Sequence, residues 1–313
     1  MIAQQETSTL EKTNPALEVG LLLLLSLIWG SSFTLIKVAV EAVPPLTMVA
    51  ARVTIAAGLL LCLARMRGFT LPRGGAVWSA LVVQGLLQSA LPFTLISWGE
   101  KHVSSGLAGV LNATPPMFVL LIGITTAKGR RRIDVTKIVG VVLGFAGVLL
   151  TVGPGALGSM GATTPFAQFA VLGASLCYAL AAMWGHRFSN LPAIVTAGGA
   201  MACASALILP AAIVVDRPWT LSPSRSQILA VLALAIVCTA FAMVIYFRLV
   251  RTLGALGTTS GSYLRAGFAV LLGIVFLDES FTWEAVAGMT MVVLGVIAVT
   301  APRAKASTAR QVA

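Results

Sequence analysis

Apolar runs of membrane-crossing length recur along the chain, separated by short polar links, and this pattern predicts ten helices of about 20 residues each. They fall at 17–40, 45–64, 76–98, 105–126 and 136–153, then at 165–186, 192–214, 227–248, 255–277 and 284–301. The first run, ALEVGLLLLLSLIWG, continues past the length of a signal-peptide core and reads as a retained span. The expected fold is all-α and integral to the membrane.

The runs also repeat. Shifting the chain by about 150 residues lays LNATPPMFVLLIG (111–123) over GSYLRAGFAVLLG (261–273), and a nearly equal shift pairs Gly140 with Gly288 and Gly147 with Gly295. Each half then holds five spans. Because five is odd, the second half enters the membrane from the opposite face, giving two inverted five-helix repeats. Such repeats are typical of secondary transporters, whose substrate site lies between the halves near the midplane. The expected organisation is a tail at 1–16, one repeat at 17–153, an outer linker at 154–164, a second repeat at 165–301 and a tail at 302–313.

Composition agrees, since 58% of the 313 residues are hydrophobic and only 10% are charged. The net charge of +11 is not a nucleic-acid footprint, because the basic residues lie in short clusters between apolar runs. Those clusters (Arg65, Arg67 and Arg73, then Arg130 to Arg132) fall in alternate links, which places both termini in the cytoplasm. The four cysteines sit inside apolar runs as small fillers.

Candidate chemistry begins with Arg265, in the middle of the ninth run. A mid-membrane arginine costs roughly 2.5 to 3.5 kcal/mol, so it must face protein or water. It either satisfies helix-end carbonyls or engages a carboxylate with its planar fork. Arg52 lies closer to a span end and is expected to be structural, snorkelling outward. Gln84, Gln88 and Asn112 should point inward, either joining helices or lining a cavity. Trp29 and Tyr178 occupy nearly equivalent repeat positions and are the preferred aromatic walls, with Tyr246, Ser262 and Tyr263 completing the cavity set. Pro115 and Pro116 predict a functional kink; Gly261 and Gly267 are their counterparts, where the alternative is close helix packing.

The acidic residues all map near span ends or beyond them, Glu100 near the outer face and Glu18 at the inner one. With no buried carboxylate as a relay, obligatory proton coupling is not expected. GPGALG (153–158) fits a dinucleotide fingerprint but follows a membrane span, and is expected to be an outer loop turn. Asn112-Ala113-Thr114 fits a glycosylation acceptor but lies within a span. No catalytic or metal-ligand constellation is evident, so neither a cofactor nor an intramembrane enzyme is expected, and no charged ring suggests a channel.

The stretch IWGSSFTLIKVAVEAVPPLTMVAARVTIAA (28–57), the repeated fourth and ninth spans, and FAVLLGIVFLDE (268–279) resemble the drug/metabolite transporter superfamily, EamA type. The resemblance covers essentially the whole chain. It implies ten helices in two inverted repeats, cytoplasmic termini in a bacterial inner membrane, and export of small metabolites, often amino acids, through a central cavity. Nucleotide-linked or sugar metabolites and drugs remain open as substrates, and the expected unit is a monomer in the bilayer. Members commonly carry a proline before the closing run of both repeats. Here it is present as Pro116 but replaced by Ala266, so the ninth span should hinge less sharply than the fourth.

Overall fold

The computed structural model describes residues 14–103, 108–109, 111–125, 135–158, 165–277 and 283–300. Among them are ten long helical segments and no strand. The first half contributes α1 (Pro15–Val40), α2 (Pro45–Met66), α3 (Gly75–Gly99), α4 (Pro115–Thr125) and α5 (Val135–Gly158). The second contributes α6 (Pro165–Gly185), α7 (Ala193–Val215), α8 (Arg225–Thr252), α9 (Gly254–Leu277) and α10 (Trp283–Thr300).

Local chemistry sets several starts. Asn14 caps α1 by accepting the Ala16 N–H at 3.1 Å, with Pro15 at the first helical position. Ser224 and Gln227 form a capping box at α8. Proline also opens α2 and α6, where its missing N–H costs nothing.

Helices α1, α2, α3, α7 and α8 are each long and apolar enough to cross a membrane, as is α6 together with the following turn to Phe188. The fourth span is interrupted. Its helix resumes only at Pro115, after a turn at residues 112–114, because a proline disfavours helical geometry in the residue before it. By contrast α9 runs unbroken through Arg265 and Ala266, matching the loss of the family proline there. The GPGALG segment is not a loop turn: α5 stays helical to Gly158, so glycine and Pro154 weaken the last turns without ending them.

The repeat appears in the backbone itself. Both α3 and α8 contain one wide turn, at Leu86–Ala90 and Ile236–Phe241, again separated by about 150 residues. Equivalent hydrogen bonds recur as well. Ser26 Oγ donates to the Gly261 carbonyl at 3.0 Å, and Ser175 Oγ donates to the Leu111 carbonyl at 2.9 Å.

The crossing of α5 and α10 shows that the repeats are inverted. A Cβ added to Gly140 would meet the Gly295 carbonyl at 2.8 Å, while one added to Gly147 would meet the Gly288 carbonyl at 2.6 Å. As numbering rises along α5 it falls along α10, so the two equivalent helices run antiparallel. The same holds for α2 and α7, where Thr54 meets Ser205 and Leu61 meets Gly198. A pair of equivalent helices packed antiparallel requires a two-fold axis in the membrane plane.

One acidic residue, at the start of α1, is enclosed by protein. Glu18 is buried, accepting from Arg248 Nη2 at 2.8 Å and from Thr252 Oγ1 at 2.8 Å. Its carboxylate ties the start of α1 to the end of α8, and such partnership is what makes a buried charge tolerable.

Candidate functional site

The two repeats meet where the break before α4 touches α9. Ser262 Oγ donates to the Ala113 carbonyl at 3.3 Å, and Arg265 Nη2 donates to the Asn112 carbonyl at 2.8 Å. The proline pair exposes these carbonyls, because Pro116 has no N–H to give the Asn112 carbonyl and the Met117 N–H turns to the Thr114 carbonyl at 3.0 Å instead of Ala113. Here the predicted kink and the mid-span arginine explain each other.

A cleft with about 740 Å³ of empty space, part of it open to the surroundings, adjoins this junction. Its walls include Trp29, Gln88, Asn112, Pro115, Tyr178, Tyr246, Gly261, Ser262 and Arg265 from the predicted set. The Trp29 and Tyr246 rings lie with centroids 5.8 Å apart and planes tilted by 45°, giving a broad aromatic surface. Arg265 is 8% exposed, its guanidinium 5.7 Å from the Phe33 ring centroid. One of its N–H groups is spent on Asn112, which leaves donors for a ligand.

Four predicted residues lie outside the lining. Tyr263 is fully buried, its hydroxyl donating to the Val141 carbonyl at 3.1 Å and its ring covering Gly144, so it fastens α9 to α5. Gln84 is also fully buried and lies near Gly185 of α6. The wide turn at Leu86–Ala90 separates it from Gln88; this turn rotates the helix face, so residues four apart no longer point the same way. Pro116 is buried directly after the lining residue Pro115. Gly267 is a packing position within an unbroken helix, with Met289 of α10 occupying the place of a side chain.

Sequence reasoning misplaced Arg52. It is 3% exposed and turns into the bundle, where Nε donates to Thr239 Oγ1 and Nη2 to the Cys238 carbonyl at 3.4 Å. Its guanidinium lies 3.9 Å above the centre of the Phe93 ring, and it lines the cleft. The cause is the wide turn of α8, which frees the Cys238 carbonyl for Arg52 and also for Trp29 Nε1 at 3.0 Å. Snorkelling would forfeit those partners. The remaining unpredicted walls, among them Ser26, Phe33, Thr258 and Thr259, follow the helical face already marked by Trp29 and Ser262. Among the described residues the lining thus carries two arginines and no acidic side chain.

Glu100 was also expected near the outer face. It directly follows α3 yet is only 5% exposed, and neither carboxyl oxygen has a hydrogen-bond partner among the described residues. Trp184 donates to the Ala80 carbonyl at 3.1 Å and joins α6 to α3. Trp98 remains exposed, as an interfacial anchor should.

The model of the EamA-like transporter family matches residues 16–153 and 165–301, nearly the whole chain. The chain belongs to the EamA-like transporter family. Among relatives, the uncharacterized inner membrane transporter YedA of Escherichia coli K12 is 31% identical over 287 residues, covering 90% of each chain. The uncharacterized transporter YvbV of Bacillus subtilis is 26% identical, covering 92% of each. A protein of solved crystal structure superposes with a TM-score of 0.71 at 19% identity, covering 91% of this chain and 96% of that one. That likeness concerns the fold, which this EamA-like protein shares along almost its full length.

Proposed function

We propose that this EamA-like transporter exports small amphipathic metabolites bearing a carboxylate, with amino acids, aromatic ones included, as the substrate class. The observation that carries the reading is the composition of the cleft. Arg265 offers a fork for the carboxylate, while Trp29, Tyr178 and Tyr246 offer a surface for an apolar or aromatic side chain. Both termini face the cytoplasm of a bacterial inner membrane, and the working unit is a monomer with no nucleic-acid partner and no catalytic role.

Alternating access is supported by the unequal halves. α1 supplies six lining residues and its equivalent α6 supplies one, Tyr178. Ser175, Ala179 and Ala182 of α6 are instead fully buried. Under the two-fold relation, exchanging these environments yields a state open to the opposite side, with the junction at Asn112 and Ser262 as the fixed point.

Counterflow in proteoliposomes tests this directly. Vesicles preloaded with L-phenylalanine should accumulate labelled L-phenylalanine transiently, and L-phenylalaninamide, which lacks the carboxylate, should compete at least tenfold more weakly by the value of a charge-assisted bond. Equal competition by the amide would remove the carboxylate reading. Continuous labelled flux with no overshoot would indicate a channel.

A further inference from the structure

We propose that Glu100 is a proton-binding residue of the transport cycle, linked through Arg52 to the charge state of the substrate cleft. The proposal rests on the substrate reading above only for the identity of the anion.

Three observations converge. First, Glu100 is enclosed: its backbone N–H donates to Ile96 at 2.8 Å, and it extends the face of α3 that carries Phe93 and Ile96 into the cleft wall. Second, both carboxyl oxygens are buried without a partner among the described residues. An ionised carboxylate so placed is costly, whereas the protonated acid is tolerated. Burial raises the carboxyl to about 8, against the opposing pull of Lys37 and Arg52. Third, the neighbouring charges come from the cleft side. The Arg52 guanidinium of α2 lies 3.9 Å from the ring centroid of Phe93, on the α3 face that Glu100 continues, and Arg52 and Lys37 of α1 both pull against the effect of burial on the carboxyl. The α6 surface beside Gly99 is formed by the Val171 side chain and the Ala167 carbonyl and carries no charged group. Lys101 and His102, which follow in the chain, are exposed.

The linkage follows from charge. With Glu100 neutral, Arg52 and Arg265 stand in the cleft wall with no carboxylate close by, which favours an anionic ligand. With Glu100 ionised, its charge offsets that of Arg52 and the cleft attracts an anion less. A bound anion offsets the same arginine and so raises the affinity of Glu100 for a proton; by reciprocity, the proton raises the affinity for the anion. The group's pKa is raised, so it is neutral at neutral pH and gives its proton to water as pH climbs through about 8. Anion affinity should therefore be greatest below that point and fall above it.

Infrared difference spectroscopy on protein in lipid nanodiscs, titrated between about pH 6 and 10, follows the C=O stretch of a protonated carboxyl without needing a ligand. Wild type should show a band that disappears near pH 8 and that Glu100→Gln lacks. Arg52→Gln should move the midpoint upward, since a stabilising positive charge is lost. Lys37→Gln should do the same and serves where the Arg52 variant does not fold. Saturating 3-phenylpropionate, a carboxylate without an amine, should raise the midpoint by about one pH unit or more. Absence of a titrating band dependent on Glu100 would overturn the proposal, as would a midpoint that neither variant moves. If the variants shift the midpoint and 3-phenylpropionate does not, the proton site stands and the carboxylate-substrate reading fails.

Discussion

Arg265→Ala is expected to reduce L-phenylalanine counterflow by about 10- to 150-fold, the value of one charge-assisted hydrogen-bond set at roughly 1.5 to 3 kcal/mol. The loss should fall mainly on carboxylates. Arg265 also holds the Asn112 carbonyl, so the substitution frees one acceptor at the junction of the repeats. Arg265→Lys separates the two roles: lysine keeps the charge and can reach a carbonyl, but cannot present a planar fork. A folded Arg265→Lys protein should transport poorly, with its thermal stability close to wild type. Full transport by Arg265→Lys would mean that charge alone suffices.

Gly295→Leu is expected to destroy the folded state. A Cβ at Gly295 would lie 2.6 Å from the Gly144 nitrogen and 2.7 Å from the Gly140 carbonyl oxygen, both backbone atoms that no rotamer change can move. Overpacking costs about 1 to 3 kcal/mol where neighbours can yield, and more where they cannot. The leucine variant should elute as aggregate in size-exclusion chromatography. Gly20→Leu is the control, since nothing lies within 4 Å of a Cβ there, and it should elute as wild type does. Normal elution of Gly295→Leu would show that α5 and α10 are not in backbone contact.

Much of this was legible in the pattern of the chain. Hydropathy and length mark the spans, and the shift pairing Gly140 with Gly288 and Gly147 with Gly295 is the imprint of a helix crossing that needs glycine from both partners. Arg265 was conspicuous because a charge in lipid demands an explanation. The wide turns of α3 and α8 were not legible, because one extra residue in a turn leaves composition unchanged while redirecting all that follows. Arg52 and Gln84 were misplaced for that reason: one gained a freed carbonyl, and the other was rotated off the cleft face. Tyr263 was placed in the cavity set with Arg265, yet residues two apart in a helix point about 200° apart, and its side faces Gly144. Glu100 shows the limit of reading depth from span ends, because a residue beyond the last helical turn can still be covered by the helices around it.

The cleft between the repeats requires the two halves to cross the bilayer in opposite directions. Single cysteines at Leu17 and at Phe166, near the starts of α1 and α6, test it with Cys62, Cys177, Cys203 and Cys238 replaced by alanine. A membrane-impermeant maleimide applied to intact cells should label Phe166→Cys directly and Leu17→Cys only after permeabilisation. Labelling of both positions from the same side would contradict the inverted repeat, and with it the cleft at its axis.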